Sequence, residues 1–407
     1  MKNRYWQLNG AVVAAAAIVV ASFSTFAVAQ REDAHAILAA SPKLNTSVEG
    51  VHAFPAPPNG FNFMTASNRE LLTYGLPQRP DQTADAKGYE HWQKAMSALQ
   101  SCNQHAQQGG ATTSVAAQAC HGTDVKAMPY SSMNAQPVPG MSPEKATADG
   151  TGTSRVSFFN WSGIAQTNLL KSWNSKTSFD EVVSVWNVPV ANHPFGNLPC
   201  SEGPWWEVTW NGIDGFSNGD VVQGGSSSYW DGGGCGGPIS YYGWVEWYPS
   251  YPILAISCGS SLCPVGPGDD FEVITFGAPG TSEQFVFVED VTQQWSGTFG
   301  LTYIKGPGLV GSSAEYIVER PCCSGSNNFP LGNYVWEFFD DSYAFDGAGT
   351  IFFPGNTGPN TYIISMVADD ATTTISYPVF YGNGGSQGRY SFWMADANCA
   401  YSGGCTP

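Results

Sequence analysis

From residue 156 onward the sequence predicts an all-β domain, a sandwich of antiparallel sheets. Three observations predict it. Short runs alternate apolar with polar residues and are broken by Gly, Ser, Asn and Pro, the pattern of strands on a pleated surface. β-Branched and aromatic residues such as Val183, Val185, Trp210, Phe285, Phe287 and Tyr316 fill those runs. No stretch carries helix-length apolar periodicity, and about 250 residues suffice for one large β domain with its own core. Twelve of the fourteen tryptophans lie here. Most are expected in the core, leaving others to wall a groove for an extended polymer.

The preceding elements follow in chain order. Residues 1–29 read as a signal peptide. Lys2 and Arg4 are its basic start, Ala11 to Ala21 is apolar but too short to span a bilayer, and Ala27-Val28-Ala29 is a small-x-small cleavage site. The protein is therefore expected to be secreted. Residues 30–155 read as a propeptide and linker, and 156–407 as the β-sandwich domain. Tyr89, Trp92, Met96 and Leu99, at spacings of three and four, predict one amphipathic helix between Ala84 and His105. Beyond it, Pro137, Pro139, Pro143 and the Gly150/Gly152 stretch have linker composition.

Charge divides at the same place. Residues 1–155 carry 11 basic and 10 acidic side chains, and residues 156–407 carry 5 and 23, so nearly all of the −17 net charge sits in the second part. A surface of that sign repels phosphate backbones and anionic lipid, which excludes nucleic acid and membrane surfaces as partners. The first part instead holds five of the six histidines, and its basic groups are expected to be drawn to the acidic domain.

Ten cysteines in an exported chain point to disulfides. Cys258 with Cys263, Cys399 with Cys405, and Cys102 with Cys120 are the expected local pairs. Cys200, Cys235, Cys322 and Cys323 allow several pairings. No CxxC pair recurs, so no metal and no cofactor is expected.

Catalysis through an imidazole has only His193 to draw on in the second part. Without HExxH or a phosphate loop, Asp, Glu, Asn and Gln remain. Three stretches put such groups on strands. They are Trp210 to Gly215 followed by Asp220 to Gly225, then Trp244 to Pro249, then Ala314 to Glu319. Period-2 geometry places Trp244, Glu246 and Tyr248 on one face against Val245 and Trp247, and Glu315, Ile317 and Glu319 opposite Tyr316 and Val318. A strand glutamate facing away from an apolar side is ordinarily solvated.

Those motifs resemble a known family. Asn160-Trp161-Ser162-Gly163, Val185-Trp186-Asn187-Val188-Pro189, Trp210 to Asp214, Val221-Val222-Gln223-Gly224, Glu246-Trp247-Tyr248-Pro249 and Ala314 to Pro321 occur in the order seen in the glutamic peptidases, or eqolisins. The resemblance covers Asn160 to the end. It implies a concanavalin-like sandwich of two large antiparallel sheets with a substrate groove, and a catalytic pair, Gln223 and Glu315. Trp210, Asp214, Trp244, Glu246 and Tyr248 match groove residues that support the pair or line subsites. A monomeric acid endopeptidase is implied, acting on protein or peptide substrates and made as a zymogen with its propeptide as intramolecular inhibitor. The chain departs from the pattern at Ser227 and Tyr242, where acids are usual, and in insertions after Gln223 (Trp230 to Pro238) and after Pro321 (Cys322 to Pro330). Two other readings use the same material: a glycan-binding module of this fold, and a glycoside hydrolase using Glu246 and Glu315.

Overall fold

The computed structural model describes residues 34–396 apart from 35, 84, 109–119, 141–142, 144–145, 147, 149–151, 193–203, 231–237, 278–281, 306–307, 322–327, 357, 359 and 380–390. The signal peptide, His193 and Cys200, Cys235, Cys322, Cys323, Cys399 and Cys405 lie outside them. Among the described residues, the expected disulfides Cys102–Cys120 and Cys258–Cys263 are both formed.

The N-terminal lobe holds strands β1 (Leu44–Asn45) and β2 (Val51–Ala53), helices α1 (Asn68–Thr73) and α2 (Ala86–Gln108), and strand β3 (Asp124–Ala127). Helix α2 is the predicted helix, begun two residues later and ended three residues later. Its Trp92, Met96 and Leu99 are buried and Tyr89 packs beside them. Helix α1 was not predicted. At six residues it is too short for a periodic stripe, yet it starts on a capping box in which Ser67 and Glu70 satisfy each other's backbone N–H groups.

The sandwich is built from β4 (Ser154–Phe158), β5 (Trp161–Thr167), β6 (Phe179–Asn187), β7 (Trp205–Ile213), β8 (Val221–Trp230), β9 (Ser240–Tyr248), β10 (Leu254–Cys258), β11 (Ser261–Leu262), β12 (Asp270–Phe276), β13 (Glu283–Asp290), β14 (Trp295–Thr302), β15 (Ser313–Glu319), β16 (Trp336–Asp346), β17 (Ile351–Phe352), β18 (Thr361–Val367), β19 (Thr374–Val379) and β20 (Phe392–Asp396). Strand β4 runs across the 155/156 division made from composition.

Two layers emerge from the pairings. The first runs β3-β10-β9-β8-β7-β15-β5-β18-β4, antiparallel except for the β18–β4 pair. The second runs β19-β20-β16-β6-β12-β13-β14-β2-β1. The β18–β19 hairpin joins them. Between the layers lies the main apolar core, with Tyr316, Val245, Trp247 and Val222 from the first facing Trp186, Val273, Val286 and Trp295 from the second.

Each layer also carries a second apolar cluster on its other face. Outside the second sheet, Val183, Ile274, Phe276, Phe285 and Phe287 are covered by the lobe's Phe54, Phe63, Trp92 and Met96. Outside the first sheet, Trp161, Trp206, Trp210, Trp244 and Ile317 form the third cluster, the one around the candidate site. The tryptophans thus divide between the main core, with Trp186, Trp247 and Trp295, and the third cluster, with Trp161, Trp206, Trp210 and Trp244.

Candidate active site

Strand register assembles the site. Tyr362 is opposite Ala165, Ala165 opposite Glu315, Glu315 opposite Gly212, Gly212 opposite Gln223, and Gln223 opposite Glu246. Register partners project to the same side of a sheet, so this is one row across six strands. Gln223 and Glu315 are two strand spacings apart, about 10 Å between Cα atoms, with a glycine between them. A Cβ on Gly212 would stand 3.0 Å from the Gln223 Cβ and 2.8 Å from the Val222 carbonyl oxygen. The glycine keeps clear the strip that Gln223 and Glu315 flank.

The next row alternates large and small in the same way: Gly163, Ile317, Trp210, Gly225, Trp244. A Cβ on Gly225 would lie 2.0 Å from the Thr209 carbonyl oxygen, so the close flanking by Trp210 and Trp244 depends on its absence. Strand β9 splits its faces as predicted. Trp244 and Tyr248 pack on the groove side and Val245 and Trp247 in the core.

Glu246 accepts a 2.9 Å hydrogen bond from Gln223 Nε2, which orients the amide, while Gln223 Oε1 has no partner among the described residues. Asp214 stands just past β7 rather than in the row. With φ of 72° it accepts from the N–H groups of Val310, Gly311 and Ser312 and from the Ser312 hydroxyl, fixing the segment that leads into β15 and Glu315. Tyr248 is half-buried at the end of β9.

The expectation that these glutamates are solvated is overturned: Glu246, Glu315 and Glu319 are each 0 % exposed. Burial pushes the Glu315 carboxyl well above the usual carboxylate range, and the Asp214 charge adds to it. Among the described residues neither Glu315 oxygen has a donor in good hydrogen-bonding geometry; the Ser313 hydroxyl and Phe216 N–H only temper the shift. Burial likewise raises Glu246, reinforced by the charge of Glu319.

Sequence reasoning gave Glu319 no role, although it shares a face and a motif with Glu315. Its Oε2 accepts from Ser132 Oγ and from Trp210 Nε1 at 2.9 Å, and its Oε1 from Met133 N at 3.1 Å and Asn160 Nδ2 at 3.2 Å. Burial nevertheless raises its pKa to about 8. At the departure Ser227, the hydroxyl takes up Trp206 Nε1, and Tyr242 is buried beside it.

Ser132 and Met133 belong to the stretch just after β3, which crosses the outer face of the first sheet. Met128 and Tyr130 exchange backbone hydrogen bonds with Ile253, Ala135 N donates to the Gly215 carbonyl, Gln136 pairs with Asn160 and Phe159, and Val138 N donates to Ser157. Tyr130 enters an aromatic cage, with ring centroids 4.2 Å from Trp206, 5.1 Å from Phe329 and 6.1 Å from Tyr229. Part of the stretch with linker composition is therefore laid on the site.

The sequence pattern of the peptidase A4 family matches residues 159–378. Among solved structures, the chain is similar to scytalido-glutamic peptidase with a peptide-based transition state analog (18 % identity over 58 % of this chain and 98 % of that one, TM-score 0.43). It is also similar to SCP-B, an eqolisin-family member in complex with the tripeptide Ala-Ile-His (17 %, 58 % and 98 %, 0.42). A third is aspergilloglutamic peptidase from Aspergillus niger (22 %, 47 % and 99 %, 0.37). No curated protein matches the chain.

Proposed function

We propose a mechanism from one premise: the chain belongs to the peptidase A4 family. It is a glutamic-type endopeptidase and its substrates are peptides. In our reading Gln223 and Glu315 are the catalytic pair. Glu315 as carboxylate takes a proton from the water aimed at the scissile carbonyl, and the water oxygen bonds to that carbon. The same carboxyl then returns the proton to the leaving amine as the C–N bond breaks, which is general base followed by general acid work. Gln223, held by Glu246 through one N–H, has its other N–H for the developing oxyanion and its carbonyl oxygen for the water. Trp210, Trp244 and Tyr248 line the groove, and Asp214 keeps the β15 strand in place.

One observation carries this reading: the register that sets Gln223 and Glu315 on either side of Gly212 on one buried face. The same register counts against a glycosidase built on Glu246 and Glu315. Three strand spacings separate them, about 14 Å between Cα atoms, and Gln223 stands between.

We also read the chain as a secreted zymogen. Residues 128–138 cover the face on which the pair sits, as an intramolecular inhibitor would. While covered, Glu315 is held protonated by burial; departure of the segment admits water and lowers its pKa toward the acid range in which such an enzyme works. Glu315→Gln and Gln223→Ala should each reduce casein hydrolysis at about pH 4, near the carboxyl reference range, to background while leaving the circular dichroism spectrum unchanged. Retained turnover in either variant would sink the assignment.

A further inference from the structure

The lobe and the groove-covering segment are joined in sequence but attached to the sandwich in different ways. The segment is held by polar groups, with Ser132, the Met133 N–H, Asn134 and Gln136 bonding to Glu319, Asn160 and nearby backbone, and by the Tyr130 ring in its aromatic cage. Water can replace the polar contacts, and one ring is the main apolar tie.

The lobe is held by things water does not replace. Val51, Ala53 and Val125 are 1 %, 0 % and 1 % exposed and lie in the core between the two sheets, not on its surface. Strand β2 pairs with β14 through Ala53–Phe299 and Val51–Leu301, and β3 pairs with β10 over four residues. Without them β14 and β10 become edge strands with bare N–H and C=O groups. The two backbones approach so closely that a Cβ on Gly297 would sit 3.0 Å from the Gly122 carbonyl oxygen.

Strands β12 and β13 carry the strongest sign. A two-layer sandwich needs apolar residues on one face of each strand, but these two are apolar on both. Phe271, Val273, Val286 and Val288 point into the main core, whereas Ile274, Phe276, Phe285 and Phe287 point outward under the helices. Four outward apolar side chains side by side, two of them on each of two paired strands, mark a face built to be covered, since large exposed apolar patches are rare on soluble proteins.

We propose that residues 34–127 are a permanent third layer of the peptidase, and that only the stretch following them that crosses the candidate site, 128–138, has to leave it. The working enzyme is then two chains held together without a covalent link between them, the sandwich and its lobe, rather than a sandwich that has discarded everything before residue 156. This holds whether or not the chain cuts itself.

The test uses the full chain carrying Glu315→Gln, which prevents self-cleavage, with the recognition sequence of a site-specific protease placed between Gly140 and Gly152. After complete cutting, the two pieces should co-elute on size-exclusion chromatography near the 43.4 kDa of the whole chain, at neutral and at acid pH, and unfold in one thermal transition. Precipitation of the sandwich piece as the lobe comes away overturns the proposal, since a layer that leaves once cut is not permanent. Elution of residues 153–407 alone, monodisperse and with a cooperative melt, overturns it. None of these outcomes depends on peptidase activity, so failure here leaves the catalytic assignment standing.

Discussion

Gly212 is the residue on which the site's spacing depends. It puts nothing between Gln223 and Glu315, and any side chain there meets the Gln223 Cβ and the Val222 carbonyl. Gly212→Ala should displace the glutamine rather than unfold the sheet, since the strain of one added methyl is about 1–3 kcal/mol. A shift of about 1 Å at a catalytic group costs roughly 100-fold in rate. The expected result is therefore a fall in kcat of that order with KM little changed, measured on a fluorogenic peptide; a wild-type kcat would show that the strip is not used. The sequence made Gln223 and Glu315 visible through their motifs, and Glu246 through its place in Glu246-Trp247-Tyr248-Pro249. It could not mark Gly212, because a strand glycine acquires meaning only from the strands on either side.

Among elements, the groove-covering stretch was hidden for a related reason. Ser131-Ser132-Met133-Asn134 has no apolar period, and its main partner, Glu319, is 186 or more residues away. Composition could only read it as loose. Strands β7, β9 and β15 and helix α2 were legible because alternation and the three-four spacing are local properties. Sequence reasoning did not single out the doubly apolar strands β12 and β13, because it applied the alternation of apolar with polar residues throughout, although Phe285 and Phe287 alternate with Val286 and Val288. The cage around Tyr130 and the hydrogen bond from Ser132 predict how firmly the stretch holds. Tyr130→Ala combined with Ser132→Ala should shorten the time for full-length chain to disappear at about pH 4 several-fold, as followed on denaturing gels; each aromatic contact contributes about 1 kcal/mol and each tenfold in rate needs about 1.4. An unchanged time course would mean that the stretch is not what holds the site closed.

At the scale of the whole molecule, buried carboxyls dominate the response to pH. Burial raises Glu319 and Asp290 to about 8, and Asp341 and Glu207 to about 7, with Glu246, Glu289 and Glu337 also well above the ordinary range. These folded values exceed the unfolded ones, so the native state binds more protons. The stability they contribute is complete below about pH 4.5 and is lost as pH rises through 7 to 8. His121 acts in the opposite sense. Fully buried at the seam between the lobe and β14, it is lowered by burial to about 4, so its contribution is complete above about pH 6.5 and fades in acid. The urea midpoint should therefore be higher at about pH 6 than at about pH 9; a midpoint that rises over that interval would contradict the burial of these acids in the native state. The order in which the sheet is assembled has a consequence of another kind. Strand β15 lies between β5 and β7, yet it begins 146 residues after the end of β5 and 100 after the end of β7. A chain growing from its N-terminus lays down β5, β7 and the glutamine strand with a gap where the glutamate strand belongs. That gap cannot be filled until residues 313–319 have been made. Until then the nascent polypeptide carries at most half of the proposed pair, which cannot act on the chain or its neighbours before residues 313–319 are in place.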